Sequence, residues 1–149
     1  MKPEERRAIE WDCAHLLARF YRHLDERAYR ETADLFLKDG EWLRMGELLS
    51  GKDKILSVIE QRSRSMAIRH LLSNVVVDVD GADAATVRAY VTVFIHRGGA
   101  AMALPATLEQ PVAIWTLRVR CVPIGGAWKI QSHRGERVMV RADVAPLQG

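Results

Sequence analysis

The chain has 149 residues, of which 48% are hydrophobic and 28% are charged, and its formal net charge is +3. This length suits one domain with a sizeable core and is too short for two ordinary domains. The small, scattered charge excess argues against a nucleic-acid partner, and no stretch approaches the roughly 18 consecutive apolar residues of a membrane span.

The N-terminal segment and the two cysteines predict a cytoplasmic protein. Residues 1–7 carry charges where a secretory signal would need its apolar segment. Cys13 and Cys121 show no metal-ligand spacing, so we expect both to be buried free thiols in a reducing compartment.

From Pro3 onward, apolar residues recur at three- and four-residue steps, which predicts an amphipathic helix. Its stripe comprises Ile9, Cys13, Leu16, Leu17, Phe20, Tyr21 and Leu24. Asp25 closes this stripe, and Tyr21 lies one turn before it on nearly the same face. A carboxylate in this position would point toward whatever the stripe covers.

The next segment predicts two short helices and one short strand. The second helix spans about Tyr29 to Phe36 and is stopped by a turn at Asp39-Gly40. A strand from Glu41 to Met45 carries Trp42. After a loop over 46–51, a third helix is capped by Ser50 or Gly51 and runs to about Arg62.

After Ala67 the apolar period changes from 3.6 to 2, which predicts strands. They are His70 to Val79, Ala85 to Ile95, Val112 to Val122 and Ala127 to Val140. Turn residues join the first two and the last two into hairpins, and a longer flexible connection runs from Arg97 to Pro105. The basic segment Arg134 to Arg141 is interpreted as a solvated edge strand, and the residues from Ala142 as a flexible tail.

Helices followed by successive hairpins indicate an α+β fold, with a curved, mostly antiparallel sheet and about three N-terminal helices on one side. A strongly curved sheet of this kind wraps around helices and leaves a cone-shaped roll with an internal apolar pocket.

The order and spacing of these elements resemble the nuclear-transport-factor-2-like superfamily over about residues 5–140. The segments that carry the resemblance read LLARFYRHLDERAYRETADLF, DGEW, LSGKDKI, RHLLSN and GGAWKI. The branch they resemble is the SnoaL-like group, which contains scytalone dehydratase and hexachlorocyclohexane dehydrochlorinase. The resemblance implies one domain over residues 1–149 with a deep apolar pocket.

By this resemblance, Asp25 and His70 would form a catalytic pair. The imidazole would take a proton from carbon, and the aspartate would hold the ring and stabilise its charged form, with no cofactor and no metal. Imidazole chemistry near neutral pH agrees with that role. The alternatives are a solvent-facing helix end for Asp25 and a hydrogen-bonded core position for His70.

Seven further residues are candidates for contact with a substrate. They are Tyr21, Trp42, Asn74, Tyr90, His96, Trp115 and His133. Asn74 would share the face of His70 by strand alternation, and His133-Arg134 could supply an inward-facing cation, although an exposed edge is the simpler interpretation. The serine and asparagine of scytalone dehydratase have no counterpart, because Trp115 and Leu117 stand there.

These observations predict a lyase or isomerase, of the dehydratase or dehydrohalogenase type, for a small and mostly apolar cyclic or aromatic molecule. A polyketide-type cyclase is an alternative. A non-catalytic ligand-binding or assembly domain, such as a dioxygenase small subunit, is another. We expect a homodimer or homotrimer, because a broad open sheet needs covering.

Overall fold

The computed structural model describes residues 1–99 and 102–144. The helices in this part of the chain are α1 (Pro3–Asp25), α2 (Tyr29–Ala33) and α3 (Lys52–Ile59). The strands are β1 (Phe36–Arg44), β2 (Glu47–Ser50), β3 (Met66–Val79), β4 (Ala85–Arg97), β5 (Ala113–Ile124) and β6 (Ala127–Val140).

Helix α1 follows its sequence signals from end to end. Pro3 stands in the first turn, where its missing N–H costs no hydrogen bond, and the backbone N–H of Lys2 donates to Glu5 Oε2 at 2.8 Å. All seven apolar residues of the predicted stripe are buried. Burial of this stripe against the sheet therefore fixes which way the helix end, and with it Asp25, faces.

The six strands form one sheet in the order β2-β1-β6-β5-β4-β3. Neighbouring strands are antiparallel except for β1 and β6, which run parallel. The sheet is curved and open, and α1 packs against β3, β4 and β6. The predicted α+β class is confirmed.

The segment after α1 departs from the sequence prediction. Helix α2 ends at Ala33, and Phe36 already begins β1, so the predicted turn at Asp39-Gly40 lies inside a strand. The pairing of β1 with β6 is irregular between Phe36 and Glu41, and this bulge accommodates the two turn-forming residues. Tertiary pairing with β6 outweighs their local turn preference.

A second departure is the hairpin of β1 and β2, where the sequence predicted only a loop. Met45 and Gly46 both have positive φ, at 52° and 80°, and they join Arg44 to its cross-strand partner Glu47. A two-residue turn with both φ values positive matches the twist of the strands that it connects. Helix α3 then starts after Gly51 and ends at Ile59, earlier than predicted.

Strand β3 begins at Met66, four residues before the predicted start, and it contains a bulge. Its pairing with β4 shifts between Ser73 and Val76, and Asn74 lies in the left-handed region with φ 51°. The inward-facing positions change parity across this bulge. Asn74 therefore does not share the face of His70.

The basic segment on β6 is an edge only in part. Its first residue, Arg134, and the preceding His133 lie inside the sheet, because they pair with Leu43 and Trp42 of β1. Beyond Arg134, β6 pairs with β5 alone among the described strands. The solvated-edge interpretation is therefore wrong for His133 and applies only from Gly135 onward.

Cys13 on α1 and Cys121 on β5 are buried and free, as predicted. The neighbouring Cys13, and then burial, raise the pKa of the Cys121 thiol. Residues 100, 101 and 145–149 lie outside the described part, and they include pieces of the predicted flexible connection and tail. No helix among the described residues has the length and apolarity to cross a membrane.

Candidate active site

The structure brings Asp25 and His70 into direct contact, where the end of α1 meets β3. Asp25 Oδ1 lies 2.5 Å from His70 Nδ1, and Asp25 Oδ2 accepts the backbone N–H of His70 at 2.8 Å. The carboxyl side chain is only 7% exposed and the imidazole only 13%. Both carboxylate oxygens are thus used by a single residue, which fixes the ring in position.

This geometry selects one tautomer of His70. An ionised carboxylate is an acceptor only, so Nδ1 must carry the proton that it donates to Asp25. In the neutral ring, Nε2 then holds the lone pair, and within the described residues this nitrogen has no hydrogen-bond partner. Since His70 lines the cavity, Nε2 is the nitrogen available to a bound molecule.

The cavity that His70 lines has a volume of about 1060 Å³ and lies between the helices and the curved sheet. Its apolar wall includes Leu24, Val58, Ile68, Val91, Val93 and Trp115. Ligand sites of proteins commonly combine such walls with a few placed polar groups. The cavity is large enough for a ring system.

A second polar pair, Tyr21 and His133, lies beside the first. The Tyr21 hydroxyl is 3.1 Å from His133 Nε2, and the Tyr21 ring centroid lies 4.9 Å from that of His70. Burial, helped by the negative charge of Asp25, raises the pKa of Tyr21, so its hydroxyl stays protonated. Burial and the nearby His70 lower the pKa of His133 to about 3.

His133 is therefore not the inward-facing cation that the sequence suggested. It is inward-facing and 2% exposed, but neutral at physiological pH because the charged ring would lose its hydration. Its Nδ1 is buried and has no protein partner in the described residues. The simpler interpretation, an exposed edge, is wrong as well.

Trp42 and Trp115 both line the cavity. Trp42 is 7% exposed and its ring centroid lies 5.7 Å from that of His133. An arginine lies over each of these rings. The guanidinium carbon of Arg44 is 5.7 Å from the Trp42 centroid, and that of Arg137 is 5.9 Å from the Trp115 centroid.

Three predicted contact residues do not line the cavity. Tyr90 is 46% exposed, because Val91 takes the inward position and alternation turns Tyr90 to the outer face. Ile95 and Arg97 line the cavity, so His96 between them faces the other way. Asn74 is turned away by the bulge in β3. The structure gives the Asp25–His70 contact and the positions of the other candidate residues. The roles of these residues in binding or catalysis stay predictions.

Sequence reasoning missed the arginines of the cavity. Arg44, Arg62, Arg97, Arg137 and Arg141 all line it. A signal was present for two of them: Arg44 stands two residues after Trp42 on one strand, and Arg137 stands four after His133 on another, so each shares the face of a residue already singled out. Among the described residues, no group of three or more His, Cys, Asp or Glu side chains is arranged to hold a metal ion.

A family model described as a SnoaL-like domain matches residues 5–134. No protein with a curated description matches the sequence.

Several solved structures share the fold. A candidate scytalone dehydratase from Novosphingobium aromaticivorans is 19% identical, with a TM-score of 0.73, and the match covers 98% of this chain and 95% of that one. ActVI-ORFA from Streptomyces coelicolor is 14% identical, with a TM-score of 0.73 and coverages of 88% and 98%. A protein from Catenulispora acidiphila in complex with S-DNPA is 21% identical, with a TM-score of 0.68 and coverages of 88% and 94%. At these identities the likeness concerns the fold.

Proposed function

The chain belongs to the SnoaL-like domain family, and from this premise we propose that it is a lyase or isomerase of the dehydratase type. Its substrate would be a small, mostly apolar cyclic molecule, and its reaction would need only protein side chains. We also propose that residues 1–149 form a single domain of this family, with a core over about 5–140.

The observation that carries the proposal is the pairing of Asp25 with His70 at a cavity with an apolar wall. A base must present a free lone pair to the substrate, and the contact with Asp25 leaves this lone pair on His70 Nε2. The carboxylate would fix the tautomer and stabilise the imidazolium that forms on proton uptake. An imidazole is suited to this task, because its pKa lies near neutral pH in the absence of perturbation.

The proposed reaction begins when His70 Nε2 takes a proton from a carbon beside a substrate carbonyl group. The electron pair of the broken C–H bond forms a carbon–carbon double bond while a hydroxyl leaves from the next carbon. The imidazolium returns its proton to that hydroxyl, and water is released. In an isomerisation the same proton would return to a different carbon.

Tyr21, Trp42, Trp115 and His133 are proposed to contact the substrate. The Tyr21 hydroxyl lies beside both histidines, where it can hold a substrate oxygen or keep His133 in place. The two tryptophans supply flat apolar surfaces that suit a ring. The complex of the Catenulispora acidiphila relative with S-DNPA and the candidate scytalone dehydratase are consistent with a small-molecule role.

The test measures proton removal directly, so it does not depend on knowing the product. The wild-type protein is incubated with cyclic ketones such as tetralone and indanone in deuterium oxide, and exchange at the carbon beside the carbonyl is followed by NMR. We expect His70→Ala to abolish catalysed exchange. His15→Ala, which removes an exposed histidine of α1, is the matched control and should exchange like wild type.

Folding of the His70→Ala variant is checked by its melting temperature. The bond to Asp25 Oδ2 comes from the backbone N–H and is retained in alanine, so we expect at most a small decrease. Catalysed exchange that survives in this variant would contradict the role of His70. Ligand binding without any exchange or turnover would identify a binding domain instead of an enzyme.

A further inference from the structure

The charged residues that line the cavity are mostly positive. Five arginines and only two carboxylates, Glu109 and Asp143, contribute to its lining. Arg141 is neutralised locally, because its Nε lies 2.5 Å from Asp143 Oδ1 and a second nitrogen donates to the Gln110 carbonyl. The other four arginines have no carboxylate within 4 Å in residues 1–99 and 102–144.

Arg44 and Arg62 stand out among these four because both are half-buried. Burial lowers the pKa of each. For Arg44 the negative charge of Glu47 acts in the opposite direction. For Arg62 the charge of Asp25 does so, while the positive charge of Arg44 lowers its pKa. Guanidinium groups remain charged in proteins even so. Both cations line the same cavity, and among the described residues neither has a carboxylate within 4 Å. An anion bound in this partly desolvated place would therefore interact favourably with them.

Both side chains are held in place by neutral contacts. Arg44 lies over the Trp42 ring, and one nitrogen of Arg62 donates to the Leu24 carbonyl at 3.0 Å. Each guanidinium carries five N–H groups, so most donors remain available for a planar, bidentate partner. A carboxylate has the matching geometry.

Both arginines lie close to elements that carry the site. Trp42 packs against His133, and Arg44 lies two residues farther along the same strand, roughly 7 Å away along the chain direction. Arg62 contacts the last turn of α1, which ends in Asp25. A molecule that spans the cavity can therefore touch His70 with one part and these arginines with another.

We infer that the substrate of this protein is a cyclic carboxylic acid, whose carboxylate binds Arg44 and Arg62 while its ring lies against the cavity wall near His70. This inference rests on the proposed function for the role of His70, but the binding of the acid does not require catalysis. Arg97 and Arg137 add to the positive potential of the same cavity and would favour the entry of an anion.

The experiment compares acids with their uncharged amides. Binding of benzoate, naphthoate and anthracene carboxylate, each alongside its carboxamide, is measured by isothermal titration calorimetry at low salt. We expect at least one acid to bind about tenfold or more tightly than its amide, as hydrogen bonds to a charged group imply. If no acid binds more tightly than its amide, the inference is wrong.

Variants of the protein then show which residues cause the preference for the acid over its amide. Arg44→Gln should remove most of the preference for the acid and leave the amide affinity nearly unchanged, and Arg44→Lys should restore part of it. Arg118→Gln, on the outward-facing side of β5, removes an equal charge away from the cavity and should behave like wild type. Equal weakening by Arg44→Gln and Arg118→Gln would show only a general charge effect and would overturn the assignment.

The binding test of the carboxylate subsite and the exchange test of the proposed function can fail independently of each other. His70→Ala should keep the acid-over-amide preference while losing catalysed exchange. Loss of exchange with preserved preference supports both ideas. Absence of the preference in wild type, with exchange intact, overturns the carboxylate subsite alone.

Discussion

Asp25 uses its two oxygens for two different N–H groups of one residue, the ring N–H and the backbone N–H of His70. A backbone N–H can only donate a hydrogen bond, so the atom that faces it must be an acceptor such as an oxygen. This detail makes Asp25→Asn a sharper probe than removal of the side chain.

We expect Asp25→Asn to reduce catalysed exchange by about 10³- to 10⁴-fold, the scale seen when a partner aspartate of a catalytic histidine is replaced by asparagine. The amide oxygen will face the backbone N–H of His70, so its NH₂ group will face Nδ1. The ring proton must then move to Nε2, which removes the base. NMR exchange rates measure the loss.

Asp12→Asn, on the exposed side of α1, is the matched control and should exchange at the wild-type rate. A rate for Asp25→Asn within tenfold of wild type would mean that the tautomer of His70 does not matter for proton removal.

Burial of His133 couples stability to pH. Its pKa is lowered to about 3, whereas the unfolded chain has the ordinary value near 6.5. Between these values the unfolded state binds the extra proton and the folded state does not. The contribution of the neutral His133 to the free energy of unfolding is therefore fully present above about pH 6.5. It is lost as the pH falls toward 3, by up to about 1.4 kcal/mol per pH unit.

We expect His133→Gln to make the free energy of unfolding less sensitive to acid, by about 2 to 3 kcal/mol between pH 6.5 and pH 4.5. Glutamine does not titrate and can still form a hydrogen bond with the Tyr21 hydroxyl as acceptor or donor. Urea unfolding at the two pH values measures the difference. His15→Gln, which changes an exposed histidine, should keep the wild-type dependence, and an unchanged slope in His133→Gln would show that His133 titrates normally.

Among the elements, β1 shows how a tertiary contact replaces a local preference. Gly40 lies at the bulge, and a Cβ built on it would stand 2.9 Å from the Ile130 carbonyl oxygen of β6 and 3.1 Å from the Leu37 carbonyl oxygen. These are backbone atoms, which cannot rotate away. The glycine that resembled a turn signal in the sequence instead allows two strands to approach closely.

Gly40→Ala should therefore lower the free energy of unfolding by about 1 to 3 kcal/mol, as overpacking against rigid neighbours does. Urea unfolding monitored by tryptophan fluorescence measures it. Gly99→Ala is the control, since nothing lies within 4 Å of a Cβ there. Equal stability of the two variants would mean that β1 and β6 separate without cost.

At the scale of the whole molecule, the outer side of the sheet carries apolar side chains that face solvent. Exposed examples on β3, β4 and β6 are Leu71, Val75, Val76, Tyr90, Val138 and Met139. Leu71, Val76 and Tyr90 lie on the adjacent strands β3 and β4, and exposed apolar side chains grouped in this way often mark a protein contact. The prediction of a homodimer or homotrimer agrees with this surface.

Light scattering on the purified protein tests that prediction. We expect a mass of two or three chains of 16.8 kDa, which falls to the monomer mass on replacement of Leu71 and Val76 by lysine. A monomeric mass of the wild type at micromolar concentration would contradict the prediction.

The sequence by itself determined the elements with a strong apolar period. The stripe of α1, the four long strands and the α+β class all follow from local spacing, because helix and strand periodicities are properties of a few consecutive residues. The family resemblance singled out Asp25 and His70, whose contact bridges 45 positions of the chain.

Only the tertiary structure decided which side chains enter the cavity. Bulges in β3 and β6 change the parity of alternation, and so Asn74 turns away and His133 turns inward. The placement of β6 between β1 and β5 buries His133 and makes it neutral, and the folding of separate segments places Arg44 and Arg62 in one cavity. Long-range pairing sets these features, and no single stretch of sequence contains both partners of such a pairing.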